Sequence, residues 1–247
     1  MPFVTTPDHV TLAMLELAEV GAGDYVMDLG SGDGRIVITA ARRFGARGLG
    51  VEIVPELVAK SRELARVAGV AERAEFREQD LFATDLRAAS VITMYLLPQV
   101  NLQLRPRLLQ LAAGTRIVSH DWDLGDWLPE RTLTLEVPQK AVGREKKSRL
   151  HLWVVPARVA GLWCDGALAL EIGQRFQAFS ATLTRRGLNA PALVFDGRIH
   201  GVVLRSGGQP APLVLRAAGE TLWVETAGAA EPLAPGQRFV RAGAAGC

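Results

Sequence analysis

Residues 28–35 read Asp28-Leu29-Gly30-Ser31-Gly32-Asp33-Gly34-Arg35, a glycine-rich turn between two apolar runs. Before it lies a short strand candidate, 25–28. After it comes a run with helical spacing, 35–44, which stops before Gly45. Strand, glycine turn and helix in that order place backbone N–H groups and the positive end of a helix around a ligand. Gly30, Gly32 and Gly34 permit the tight turn and a close backbone approach. Their spacing is G-x-G-x-G, whereas a dinucleotide fingerprint needs its third glycine where Arg35 stands. Asp28, just before the turn, suits an ammonium group and repels a pyrophosphate. The plain alternative is a glycine turn with no ligand.

Working outward, Thr6-Pro7-Asp8 predicts a helix start with Thr6 as its cap, and Val10, Met14, Leu15 and Leu17 give that helix a buried face. Downstream, strands are predicted at 48–52, 74–79, 91–95 and 115–120, with helices at 55–68 and 98–112. Strands alternating with helices mean βαβ units and a largely parallel, doubly wound sheet. Strands at 132–137 and 149–155 are joined by a polar turn with Gly143, Lys146 and Lys147. With no room for a helix between them, they should form an antiparallel hairpin at the sheet edge.

The pattern changes after Pro156. Residues 157–247 hold nine Arg, no Lys and six acidic residues. Short β-prone runs are predicted at 167–172, 174–184, 192–195, 199–205, 213–217, 221–225 and 238–240. Asn189-Ala190-Pro191, Asp196-Gly197, Gly207-Gly208 and Ala218-Gly219 are read as turns. A small antiparallel barrel or sandwich is expected, with a frayed tail from Arg241 to Cys247. Gly161-Leu162-Trp163 resembles the G-x-W opening of lipocalin-like barrels, with a structural or partner-binding role ranked above a ligand-binding calyx. The expected domains are therefore 1–156 and 157–247.

Bulk properties narrow the function classes. Of the 247 residues, 49% are apolar, enough for a substantial core. The net charge of +2 gives no argument for a nucleic-acid or membrane-surface partner. Cys164 and Cys247 are too few for a disulfide framework or a cysteine-based zinc site, so no metal and a cytoplasmic location are expected. Neither a signal peptide nor an uncharged run near the ~18 residues of a membrane span is apparent.

Two further carboxylates follow the glycine turn. Glu52, at the end of the second strand, can accept from both hydroxyls of a ribose. Asp80, after the third, can accept from an adenine amino group, with Leu81 offering a backbone N–H and Phe82 an apolar wall. Its alternative is a helix cap. Together DLGSGDGR, GVE and QDLF resemble class I S-adenosylmethionine-dependent methyltransferases. More narrowly, Thr5-Thr6-Pro7, the Arg35-Ile36-Val37-Ile38 run, Tyr95-Leu96-Leu97-Pro98 and Asp126-Trp127-Leu128-Pro129 resemble bacterial relatives of the mitochondrial lysine methyltransferases of ATP synthase c subunit and adenine nucleotide translocase. The resemblance covers roughly residues 3–155.

That resemblance implies a seven-strand Rossmann-like sheet, S-adenosylmethionine as methyl donor and S-adenosylhomocysteine as product. It assigns cofactor binding to Thr6, Asp28, Gly30, Ser31, Gly32, Gly34, Glu52, Asp80, Leu81 and Tyr95, and implies that residues 3–7 fold over the cofactor as a lid. The methyl acceptor should sit over the ends of the fourth and fifth strands, at Tyr95–Pro98 and His120–Asp123. Tyr95 and Asp121 are the candidate catalytic residues: Tyr95 to orient an amine or contact the sulfonium, with packing under the cofactor as its alternative, and Asp121, with His120 and Asp123 beside it, to bind or deprotonate a cationic amine. His120 is read as a structural histidine, and Trp122 and Trp127 as slot walls or core. Tyr95-Leu96-Leu97-Pro98 is not the Asn/Asp-Pro-Pro-aromatic motif of base-amino methyltransferases, which argues against nucleic acid as acceptor. The expected activity is N-methylation of a protein lysine. A small-molecule acceptor, or a non-catalytic module that binds S-adenosylmethionine, are the alternatives.

Overall fold

The structure is a computed structural model that describes residues 4–140, 145–187, 191–207, 212–228, 230–243 and 246–247. The chain divides into two units, Met1–Val154 and Val155–Cys247. Of the sequence readings, Phe3, Gly143, Asn189, Ala190 and Gly208 lie outside the described residues.

The first unit is built on a seven-stranded sheet in the order β3-β2-β1-β4-β5-β7-β6. At its centre β1 (Tyr25–Leu29) runs parallel to β2 (Arg47–Glu52) on one side and β4 (Val91–Met94) on the other. β3 (Ala74–Glu78) extends one edge and β5 (Arg116–His120) the other, both parallel. All four residues of β4 are buried, as parallel strands covered on both faces require. α2 (Arg35–Phe44), α3 (Pro55–Val67) and α4 (Pro98–Leu108) make the crossovers. The expected hairpin is present, but β7 (Lys147–Val154) lies inside it, antiparallel to β5, and leaves β6 (Arg131–Glu136) at the edge. Strand order therefore reverses beside β1 and β4, which opens a crevice over their carboxyl ends.

Two local expectations are corrected here. Thr6 does not cap α1 (Asp8–Leu17). Pro7 holds the cap position without a side-chain bond, and the buried Thr6 turns its hydroxyl towards His120 instead. α4 ends at Leu108, because Gln110 and Leu111 bond carbonyls three residues back and tighten the chain out of the helix.

The second unit is a closed barrel rather than a sandwich. Its eight strands are β8 (Gly161–Asp165), β9 (Leu168–Arg175), β10 (Ala178–Arg185), β11 (Pro191–His200), β12 (Val203–Ser206), β13 (Val214–Ala218), β14 (Thr221–Thr226) and β15 (Arg238–Arg241). β15 pairs with β8 and removes both free edges. Leu168, Leu170 and Ile172 alternate inward on β9, and Phe179, Ala181 and Leu183 on β10, around buried Trp163 and Phe239.

Three readings of this half change. The run 174–184 is two strands, broken at Phe176, whose φ is +52°. Asp196-Gly197 is not a turn but lies within β11. A Cβ at Gly197 would collide with the Arg205 carbonyl oxygen on β12, so this glycine serves close strand approach. The tail is not frayed at its end: Cys247 is disulfide-bonded to Cys164 across 83 positions. Two cysteines are too few for a disulfide framework, but they make this one bond.

Candidate functional site

The glycine turn leaves β1 with Gly30, Gly32 and Gly34 all at positive φ. At Gly34, the entry to α2, a side chain would meet the Phe76 ring and Ser61 as well as backbone strain. The turn forms one wall of a cavity of about 720 Å³, lined by Val4, Thr6, Asp28, Glu52, Asp80 and Tyr95 among others.

Asp28 is buried, and Thr93 donates to its Oδ1 at 2.7 Å. Burial, reinforced by the Glu52 and Asp33 carboxylates and opposed by the Thr93 bond, pushes its pKa up to about 7. Glu52 Oε2 accepts from Gly32 N at 3.0 Å, while Oε1 accepts from Ile53 N and Val54 N at 2.9 and 3.1 Å. These bonds fix the carboxylate at the strand end and tie it to the glycine turn. Asp80 Oδ1 accepts from Phe82 N at 2.8 Å, so the capping alternative is realised, and Asp80 lines the cavity as well. The turn is also bolted from outside. Arg35 pairs with Asp33 at 2.9 and 2.7 Å and donates Nη1 to the Thr6 carbonyl at 2.6 Å. Burial would raise the Asp33 pKa, but the Arg35 guanidinium holds it below the usual carboxylate value.

The other end of the cavity lies over β4 and β5. Tyr95 stacks on His120, ring centroids 3.9 Å apart. Asp121 sits at φ +66°, in a turn closed by Trp122 N donating to the His120 carbonyl at 2.9 Å. Its Oδ1 accepts from Arg149 N at 3.1 Å. Its Oδ2 accepts from the Tyr95 hydroxyl at 3.3 Å and pairs with Lys140 Nζ at 2.7 Å. Burial, with the Asp121 charge beside it, pushes the Tyr95 pKa up to about 12, so the phenol stays a proton donor. His120 is buried between Thr6 Oγ1 on Nδ1, at 3.4 Å, and Ser148 Oγ on Nε2, at 2.8 Å. Burial lowers its pKa to about 4. Asp121 opposes that shift and Lys140 adds to it. A neutral ring with both nitrogens engaged is a structural histidine, as the sequence suggested.

All ten expected cofactor residues except Gly34 line this one cavity; Gly34 sets the turn that shapes it. Of the expected acceptor residues, Tyr95, Leu96, Leu97, Asp121 and Trp122 line it too, whereas Asp123 caps the Gly125 turn and Trp127 is core. The fit to S-adenosylmethionine can be judged on the donor set. Asp28 and Glu52 supply anionic acceptors, the turn supplies backbone N–H groups, and Ser31 Oγ is buried with no hydrogen-bond partner among the described residues. That set suits a cationic, hydroxyl-bearing ligand and opposes a pyrophosphate. Sequence reasoning missed Lys140 and Arg149. Both lie at or beyond a polar turn, where no periodicity marks which side chain points inward.

Comparison with known proteins agrees. The ANTKMT methyltransferase domain model matches residues 28–131. A protein-lysine N-methyltransferase from Saccharolobus islandicus (strain REY15A) is 41% identical over 138 residues, 55% of this chain and 86% of the relative. The mouse adenine nucleotide translocase lysine N-methyltransferase is 38% identical over 131 residues, and the chain spans only 56% of its length. Among solved structures, an RNA methyltransferase from Salinibacter ruber in complex with S-adenosylhomocysteine is 51% identical. The TM-score is 0.58, and the match covers 63% of this chain and 96% of that one.

Proposed function

The chain belongs to the S-adenosylmethionine-dependent methyltransferases of the ANTKMT domain type, and from that premise we propose that it N-methylates lysine side chains of a protein. S-adenosylmethionine supplies an activated methyl group on a sulfonium. One observation carries the choice of acceptor: the cavity that holds the glycine turn ends at Asp121 and Tyr95, where a lysine ammonium, that of Lys140, is already bound.

The residue roles follow. Gly30, Ser31, Gly32 and Gly34 cradle the methionine part, and Asp28 meets its ammonium. Glu52 takes the ribose, Asp80 and Leu81 the adenine, and Val4 and Thr6 close over the site. Tyr95 donates to Asp121 and walls the acceptor. Asp121 receives the acceptor ammonium and the proton that must leave before transfer, since a free lysine titrates near 10.4. His120, neutral and fully engaged, is not that base. Residues 1–156 carry this activity, and residues 157–247 serve recognition or assembly.

A second reading, an RNA acceptor, is favoured by the match to the Salinibacter ruber protein. The Tyr95-Leu96-Leu97-Pro98 sequence weighs against it, since it is not the Asn/Asp-Pro-Pro-aromatic motif of base-amino methyltransferases. Asp121→Asn should lower kcat/KM for a protein acceptor by about a hundredfold and leave S-adenosylhomocysteine affinity unchanged. Unaltered turnover would remove Asp121 from the reaction.

We propose a cytoplasmic location, on the cysteine usage of the sequence. Among the described residues, no helix is long and apolar enough to cross a membrane. The Cys164–Cys247 bond pulls the other way. Alkylation at the moment of lysis, followed by mass analysis of both cysteines, decides.

A further inference from the structure

Lys140 is an unusual residue to find at this end of the cavity. Its side chain is only 13% exposed, although it belongs to the polar stretch after β6. Nζ lies 2.7 Å from Asp121 Oδ2 and donates to the Lys147 carbonyl at 2.5 Å. The backbone around it is braced: Lys140 N donates to the Val137 carbonyl at 2.9 Å, and Lys146 Nζ donates to the Lys140 carbonyl at 2.9 Å. Asp121 is held in turn by Arg149 N, by the Tyr95 hydroxyl and by its own left-handed backbone conformation. An ammonium with two directed acceptors has the geometry that a primary amine from outside would need.

We propose that the Asp121 carboxylate, the Tyr95 hydroxyl edge and the Lys147 carbonyl form the ammonium subsite for the methyl acceptor. Lys140 of the chain itself occupies that subsite until an acceptor lysine displaces it. This rests on the lysine-methylation reading and adds to it a built-in competitor. The subsite is fixed to the sheet through Asp121 and Arg149, whereas Lys140 reaches it on a four-carbon stem, so exchange requires only side-chain rotation. An incoming lysine must outcompete an ammonium that is always at hand. Weak or badly presented lysines lose, and an acceptor that also binds outside the cavity wins. Lys140 therefore selects for acceptors with more than a bare side chain to offer.

The test needs no methyl transfer. n-Butylammonium chloride, which carries the lysine head and nothing else, is titrated against the S-adenosylhomocysteine complex and followed by shifts of the Tyr95 and Trp122 NMR signals. If Lys140 fills the subsite in nine molecules of ten, Lys140→Ala should bind the amine about tenfold more tightly than the unaltered protein. Lys140→Arg, which can keep an ion pair with Asp121, should bind no better than the unaltered protein. Lys140→Ala with Asp121→Asn should lose the gain, and melting curves for each variant establish that it is folded. Equal amine affinity in Lys140→Ala and the unaltered protein, or a gain that survives Asp121→Asn, overturns the proposal. These outcomes stand apart from the acceptor class: methyl transfer to protein with no change in amine affinity would sink the Lys140 competitor alone.

Discussion

Arg35 Nη1 lies 2.6 Å from the Thr6 carbonyl oxygen, while its Nε and Nη2 grip Asp33 of the glycine turn. One guanidinium thus ties the N-terminal lead-in to the loop that shapes the cofactor pocket. Arg35→Gln should release the lead-in and weaken S-adenosylhomocysteine binding. The loss is expected to be about ten- to a hundredfold, from the roughly 1.5–3 kcal/mol of a charged hydrogen bond. Deleting residues 1–6 should do the same. Calorimetry with unchanged affinity for both variants would show the lead-in to be a helix approach and no lid.

Glu52 accepts from Gly32 N, Ile53 N and Val54 N, and the proposed site gives it the ribose as well. Glu52→Ala should cost about ten- to a hundredfold in cofactor affinity. Glu52→Gln, which retains an acceptor oxygen, should lose less. If the two variants bind equally well, Glu52 acts on the loop alone.

Asp28, in its proposed role, should make cofactor binding depend on pH. Its pKa in the folded protein is about 7, above the ordinary 3.8, so its contribution favours folding below that ordinary value and is lost as pH rises through 7. Thr93, Glu52 and Asp33 are the groups that set it. A ligand ammonium would favour the carboxylate, so S-adenosylmethionine should bind with release of close to one proton at about pH 6, a release that shrinks as pH rises through 7. Calorimetry in two buffers of different ionisation enthalpy measures this. Asp28→Asn should melt higher than the unaltered protein at about pH 8 and bind cofactor poorly. A lower melting temperature would contradict the assignment.

The Cys164–Cys247 bond closes 83 positions of chain and anchors the end of the barrel. Cys247→Ser should cost the barrel about 2–5 kcal/mol. Dithiothreitol should lower the melting temperature of the unaltered protein towards that of the variant and leave the variant unmoved. A melting curve insensitive to both would show the bond to be absent in solution.

How much of this could be read in advance follows from which signals are local. The turn at Gly30, Gly32 and Gly34 and the carboxylates at strand ends were legible because strand, turn and helix are decided within a few residues. Gly197 misled, because a glycine chosen for cross-strand approach looks like one chosen for a turn. Thr6 looked like a cap, but a buried hydroxyl facing His120 depends on a contact 114 positions away. The Cys164–Cys247 pairing depends in the same way on barrel closure between β15 and β8. Lys140 carried no signal, since its partner Asp121 is set by β5 and by a single left-handed residue.

The most direct measurement incubates the purified protein with methyl-labelled S-adenosylmethionine and a cell lysate, then separates protein, RNA and small molecules and hydrolyses the protein fraction to amino acids. The account predicts label recovered as methyllysine from one or a few protein bands, at an initial rate about a hundredfold lower with Asp121→Asn. Label confined to nuclease-sensitive RNA or to the small-molecule fraction would contradict it.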